Sequence, residues 1–125
     1  MATVEVRAAT FANTIDKGIV LVDWWAPWCG PCRAFAPVYE AASSRHPDVV
    51  FAKVDTEVEP QLSSGFQIRA IPTLMVFRDG VLLFMQPGGL PAETLDELLA
   101  QVRRVDMDEV RRDIAAGLAS ERSAG

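Results

Sequence analysis

Gly18-Ile19-Val20-Leu21-Val22-Asp23-Trp24-Trp25-Ala26, followed after Pro27 by Trp28-Cys29-Gly30-Pro31-Cys32, decides the fold of this chain. The first part is a run of strand length whose successive residues are apolar, the pattern of a central strand covered on both faces. The second part carries the only two cysteines, three positions apart at the start of a predicted helix. Pro31 suits a first helical turn, where its missing N–H costs no hydrogen bond. Cys29 then points its sulfur at unpaired backbone N–H groups and at the positive end of the helix dipole. That setting favours thiolate over thiol, and the thiolate is the species that attacks disulfides. A second thiol so near can close on the first and expel whatever it has captured.

Three other uses of the cysteines compete with this redox reading. Structural zinc needs four Cys or His ligands, commonly as two spaced pairs. The chain offers one pair and a lone His46, followed by Pro47 where a helix should stop. A purely structural disulfide more often closes a long loop, because a short loop constrains the unfolded chain less. Inert core cysteines fit poorly with Gly and Pro between them and a strand before them. A Cys-x-x-Cys beside a βαβ pattern is a redox signature. We therefore read no metal site and expect a redox-active Cys29–Cys32 disulfide.

At 125 residues the chain is long enough for one core without staples. Half of it is hydrophobic, yet no uninterrupted apolar run approaches the roughly 18 residues of a membrane-spanning helix. Met1-Ala2-Thr3-Val4-Glu5-Val6-Arg7 lacks the basic start and apolar block of a secretory signal, so a cytoplasmic location is expected. In a reducing compartment two cysteines are more often catalytic than structural. The net charge of −5 speaks against nucleic acid as a partner.

The pattern along the chain is βαβαβαββα. Thr3 to Arg7 reads as a short strand and Thr10 to Lys17 as a short helix with Thr10 as N-cap. Ile19 to Ala26 is the central strand. Gly30 to about Arg45 is a helix that contains Pro37, which deletes one backbone bond and should kink it. Val49 to Asp55 is a strand, and Val58 to Phe66 a weak helix interrupted by Pro60 and Gly65. Thr73 to Phe77 and Val81 to Met85 flank Arg78-Asp79-Gly80, a hairpin signal. Leu95, Leu98, Leu99 and Val102 share one face of a helix from Ala92 to about Val105. The class is α/β, with a mixed sheet, an antiparallel strand from the hairpin and helices on both sides. Reactive groups in such sheets gather at the carboxyl ends of strands, where Cys29 falls.

Val22 to Arg33, with its internal Gly30-Pro31, closely resembles the active-site segment of the thioredoxin family. Ile68-Arg69-Ala70-Ile71-Pro72-Thr73-Leu74 is similar to the family's cis-proline loop, Asp79-Gly80 to its hairpin turn, and Gly88-Gly89 to its glycine site. The likeness runs in order from about residue 3 to about residue 105. It implies a thioredoxin fold and a protein-disulfide reductase in which Cys29 attacks and Cys32 resolves. It places Asp23 beneath Cys32 to relay that thiol's proton through water, and Lys53 near Asp23 on a neighbouring strand. An acid inside an apolar strand costs several kcal/mol unless neutralised or hydrogen-bonded, so burial should raise its pKa. A strand-end aspartate facing solvent is the alternative.

The same resemblance makes Ile71–Pro72 cis, beside the dithiol, with the backbone of Ile71 offered to an extended substrate. Trp28 becomes an apolar wall rather than a core residue like Trp24 and Trp25, and Ile71, Gly88 and Gly89 complete a shallow groove next to Gly30 and Pro31. Electrons are implied to come from NADPH through a flavin-dependent thioredoxin reductase, since the chain has no dinucleotide fingerprint and binds no cofactor itself. Its partners are then that reductase and disulfide-containing proteins, with neither nucleic acid nor membrane, and a monomer is expected. Pro87 stands where the family often has an aliphatic residue and removes an N–H from the groove edge. Two domain segments follow: a thioredoxin domain over 1–105 and an extension over 106–125. Val110, Ile114 and Leu118 suggest a short amphipathic helix that packs on the domain, with Ser120 to Gly125 frayed. A disulfide oxidant or isomerase, and a redox-independent binding or chaperone-like module using the groove, stand as rival functions.

Overall fold

A computed structural model describes the backbone of residues 2–124 and the side chains of residues 2–117. The elements run β1 (Thr3–Glu5), α1 (Ala8–Ile15), β2 (Ile19–Trp25), α2 (Gly30–Arg45), β3 (Val50–Asp55), α3 (Pro60–Gly65), β4 (Thr73–Arg78), β5 (Val81–Pro87), α4 (Ala92–Arg104) and α5 (Met107–Ala124). The five strands form one sheet in the order β1-β3-β2-β4-β5. β1, β3 and β2 are mutually parallel, while β4 runs antiparallel to both β2 and β5. The antiparallel member is thus the first strand of the hairpin, and β5 turns back into the direction of the other three.

Alternation along β2 explains how the sheet is covered on both faces. Leu21 joins Phe35, Tyr39, Leu95 and Leu99 in a core under α2 and α4. Val20, Val22 and Trp24 join Phe11 and Phe77 in a second core, with Ile15 of α1 and Leu62 of α3 packed against it. Asp23 falls on the α2 and α4 face, because side chains two apart share a side. A clamp ties the two helices of that face together: Asp96 Oδ1 of α4 accepts from Arg45 Nη2 at 2.9 Å and meets His46 Nε2 at 2.7 Å. These bonds hold the Asp96 carboxyl below its usual range, the His46 bond contributing most.

Several boundaries differ from the sequence reading, each for a local reason. α1 begins two residues earlier than Thr10, with Arg7 at the N-cap. The Thr10 hydroxyl does not cap; it donates back to the Arg7 carbonyl at 3.3 Å. Pro60 starts α3 rather than interrupting it, in the first turn where no N–H is needed. At the hairpin tip Asp79 and Gly80 both adopt positive φ, 51° and 82°, as a two-residue I′ turn requires. The Asp79 carboxylate also accepts from Gly18 N at 2.8 Å, tying the tip to the start of β2.

The extension departs from expectation most. α5 is an 18-residue helix that continues to Ala124, past the point where fraying is expected; Gly125 lies outside the described residues. Ala and Arg are the commonest residues in this stretch, and both propagate a helix well. Asp106 Oδ1 caps its start, accepting from Asp108 N at 3.0 Å and Glu109 N at 3.2 Å. The apolar stripe does not lie down on the domain along its length. Met107 is buried and Val110 half-buried, but Ile114 is 46% exposed, and the Leu118 side chain lies outside the described residues. Among the described residues no helix is long and apolar enough to cross a membrane.

Candidate active site

β2 ends at Trp25, and the chain turns through a backbone bond from Cys29 N to Ala26 O at 3.2 Å before α2 begins. Cys29 is the N-cap of α2, with φ −80° and ψ 112°. Its sulfur takes the place that a Ser or Asp oxygen fills in an ordinary cap, accepting from Cys32 N at 3.2 Å. The Cys29 carbonyl already accepts the first helical bond, from Arg33 N at 3.1 Å. Gly30 and Pro31 form the opening of the helix, and the proline loses nothing there. The two sulfurs are joined as a disulfide across a Cα–Cα distance of 5.2 Å. An N–H and the positive end of the helix dipole are thus aimed at Cys29 Sγ, a setting that favours a thiolate over a thiol. Cys29 and Cys32 keep 4% and 2% of their surface, in a small cluster with Ala26 that Trp25 and Ile71 partly cover.

The loop before β4 faces the disulfide. Its Ile71–Pro72 peptide is cis, and the Ile71 carbonyl oxygen lies 3.6 Å from Cys29 Sγ. The Thr73 hydroxyl donates to Ala70 O, bracing the loop at 2.6 Å. Pro87 ends edge strand β5 opposite Thr73, where its lack of an N–H is tolerated. Gly88, at φ +91°, supplies the donor instead, through Gly88 N to Pro72 O at 2.7 Å. The glycine site and the proline loop are therefore stitched to each other.

Gly89 answers to a different constraint. A Cβ there would meet Phe35 of α2 at 2.7 Å from Cδ1 and 2.8 Å from Cγ, and Phe35 is itself buried. Gly89→Ala should therefore destabilise the fold by about 1–3 kcal/mol, the usual cost of overpacking a filled core. Urea unfolding measures the loss; an unchanged midpoint would mean that Phe35 moves freely.

Trp28 is not a core residue. It is 66% exposed, whereas Trp24 is fully buried. Its Nε1 donates to Glu57 Oε1 at 2.7 Å, which fixes the ring next to the cysteines. Glu57 has no signal in the sequence beyond lying in the acidic stretch Asp55-Thr56-Glu57-Val58-Glu59, and sequence reasoning misses it. Phe35, which sets the need for glycine at 89, is missed for the same reason: each contact joins residues distant in the chain.

Asp23 keeps 1% of its surface, and neither carboxylate oxygen has a hydrogen-bond partner in the protein. Burial pushes its pKa up to about 7; Lys53 pulls it down and Glu5 pushes it up. Parallel pairing places Lys53 of β3 directly beside Asp23, and its Nζ sits 4.3 Å above the Trp25 ring. Such a carboxyl changes charge near neutral pH and can accept a proton there. Among the described residues no three His, Cys, Asp or Glu side chains gather into a metal-binding group.

The thioredoxin family model matches residues 2–103. A Streptomyces coelicolor protein named "Putative thioredoxin 2" is 50% identical over 115 residues, 91% of this chain and 86% of that one. Thioredoxin 1 of Nostoc is 44% identical over 101 residues, covering 78% of this chain and 94% of its own. Thioredoxin 1 of Synechococcus elongatus is 47% identical over 97 residues, covering 75% and 91%.

Proposed function

We propose, for a chain that belongs to the thioredoxin family and is a dithiol–disulfide reductase, how each residue serves the exchange. Cys29 thiolate attacks one sulfur of a substrate disulfide, forming a mixed disulfide and releasing the other substrate sulfur as thiolate. Cys32 gives its proton to Asp23 and attacks Cys29 Sγ, which frees the reduced substrate and closes the Cys29–Cys32 disulfide. Two electrons have then passed to the substrate. Lys53 biases Asp23 toward its ionised, proton-accepting form. Trp28, Gly30, Pro31, Ile71, Pro72, Gly88 and Gly89 form the face on which an extended substrate segment lies, with the Ile71 backbone available for hydrogen bonds.

The observation that supports this assignment best is the bond from Cys32 N to Cys29 Sγ at 3.2 Å, at the tip of a 16-residue helix. It supports the attacking role for Cys29, and Cys32 is then the resolving thiol. The oxidised chain is regenerated by NADPH through thioredoxin reductase, and the chain itself carries no prosthetic group. It works as a monomer in the cytoplasm on disulfide-containing proteins, with neither nucleic acid nor membrane as partner. Residues 1–105 form the working domain and 106–125 an extension.

Coupling to a purified thioredoxin reductase tests donor, direction and activity together. NADPH consumption should require both this chain and an insulin disulfide, and should stop when either is omitted. No consumption, with a control thioredoxin active in the same assay, would overturn the reading. A reduction potential above about −200 mV would point to an isomerase-like oxidant instead.

A further inference from the structure

Across the sheet, strand register lines up three charged residues in one row. Glu5 of β1 pairs with Lys53 of β3, and Lys53 pairs with Asp23 of β2. All three lie on the face that α2 covers, since Glu5 shares its side with Thr3, whose hydroxyl bonds Glu40 of α2. Exposure falls along the row. Glu5 is open to solvent on the sheet edge, Lys53 is half-buried and Asp23 is sealed. Adjacent strands lie about 4.8 Å apart, so Lys53, its Nζ over the Trp25 ring, stands between an acidic residue on each neighbouring strand.

We propose that Glu5 is a positioning residue for the proton step at Cys32: it competes with Asp23 for the ammonium group of Lys53 and so sets how firmly that ammonium holds Asp23 ionised. This rests on Asp23 being the proton acceptor for Cys32. The other charged and titratable groups around Lys53 and Asp23 have partners of their own, although Asp55 raises and Arg7 lowers the pKa of Glu5 as well. Tyr39 of α2 donates its hydroxyl to Ala52 O at 2.7 Å, and burial holds that phenol neutral well above its ordinary range. Glu40 of α2 accepts from Thr3. Arg7 lies 4.0 Å from Glu59, and Asp55 of β3 accepts from Glu57 N at 2.9 Å. Opposite Asp23 on β4 stands Leu74, which is apolar. As a disulfide, Cys29 and Cys32 do not titrate. The direction of the Coulomb effects agrees with the geometry, Lys53 lowering and Glu5 raising the Asp23 pKa.

Carboxyl-carbon NMR of the oxidised protein reads the Asp23 titration without interference from thiols. Glu5→Gln should move its midpoint down by about half a pH unit, the size expected for one charge about two strands away. Glu5→Asp should restore most of the original value. In a Lys53→Gln background the Glu5→Gln shift should shrink by at least about half, because the effect runs through the ammonium. An unmoved midpoint, or a shift of equal size without Lys53, would overturn the proposal. The acid limb of turnover in insulin reduction should follow the midpoint downward in Glu5→Gln. A titration that moves while that limb stays fixed would instead remove Asp23 from the resolving step, and Glu5's catalytic part with it.

Discussion

Cys29→Ser should lose all measurable insulin-disulfide reduction, whereas Cys32→Ser should accumulate covalent adducts with its substrates. The two residues look interchangeable in the sequence Cys29-Gly30-Pro31-Cys32, but their surroundings differ in kind. Cys29 is the cap of α2 and receives an N–H. Cys32 lies a turn further in, with 2% of its surface exposed. Without the capping thiol, the attacking nucleophile is gone. Without the resolving thiol, the first attack proceeds and the mixed disulfide has no intramolecular exit, so release depends on external thiol. Mass spectrometry of protein incubated with a disulfide substrate, before and after reductant, distinguishes the two. Equal trapping by both variants would contradict the assigned order of attack.

Asp23→Asn should raise stability and slow turnover together. Burial pushes the folded carboxyl up to about 7 from the ordinary 3.8, so the folded state holds a proton that the unfolded chain has released between those values. Stability therefore falls as pH rises through that window and is lowest above about pH 7. The difference corresponds to an upper bound of about 4 kcal/mol, and we expect a gain of about 2–4 kcal/mol for the variant at pH 8. Near pH 3 the gain should almost vanish, because both states then mostly carry the proton. Urea unfolding at the two pH values measures it, and an equal gain at both would show that charge is not the cause. Turnover at neutral pH should drop about 10–100-fold as the resolving step loses its base. Unchanged turnover would take Asp23 out of the mechanism.

Much of this is legible in the sequence, because the decisive signals are local. An apolar strand entering a Gly-Pro helix start needs no tertiary information to be read, and neither does the Asp79-Gly80 turn. Asp23 advertises itself as the one acid in an apolar run. Trp28 and Glu57, Gly89 and Phe35, and Glu5 with Lys53 were not legible as pairs. Each joins residues far apart in the chain, and nothing in spacing or composition announces a long-range partner. Thr10 misled because a capping residue type sat near a helix start, yet the turn had already begun at Arg7. The extension misled differently. Val110 and Ile114 carry a helical period that holds for the helix, but periodicity does not say whether its apolar side is covered, and Ile114 is not.

Alkylation of Cys29 by iodoacetamide in the reduced Cys32→Ser variant, followed across pH, asks most directly whether the tip of α2 makes this sulfur a nucleophile. The rate should rise with a midpoint at least one pH unit below the roughly 8.5 of free cysteine. A midpoint at or above that value, or a thiol that fails to react in the folded protein at any pH, would contradict the account.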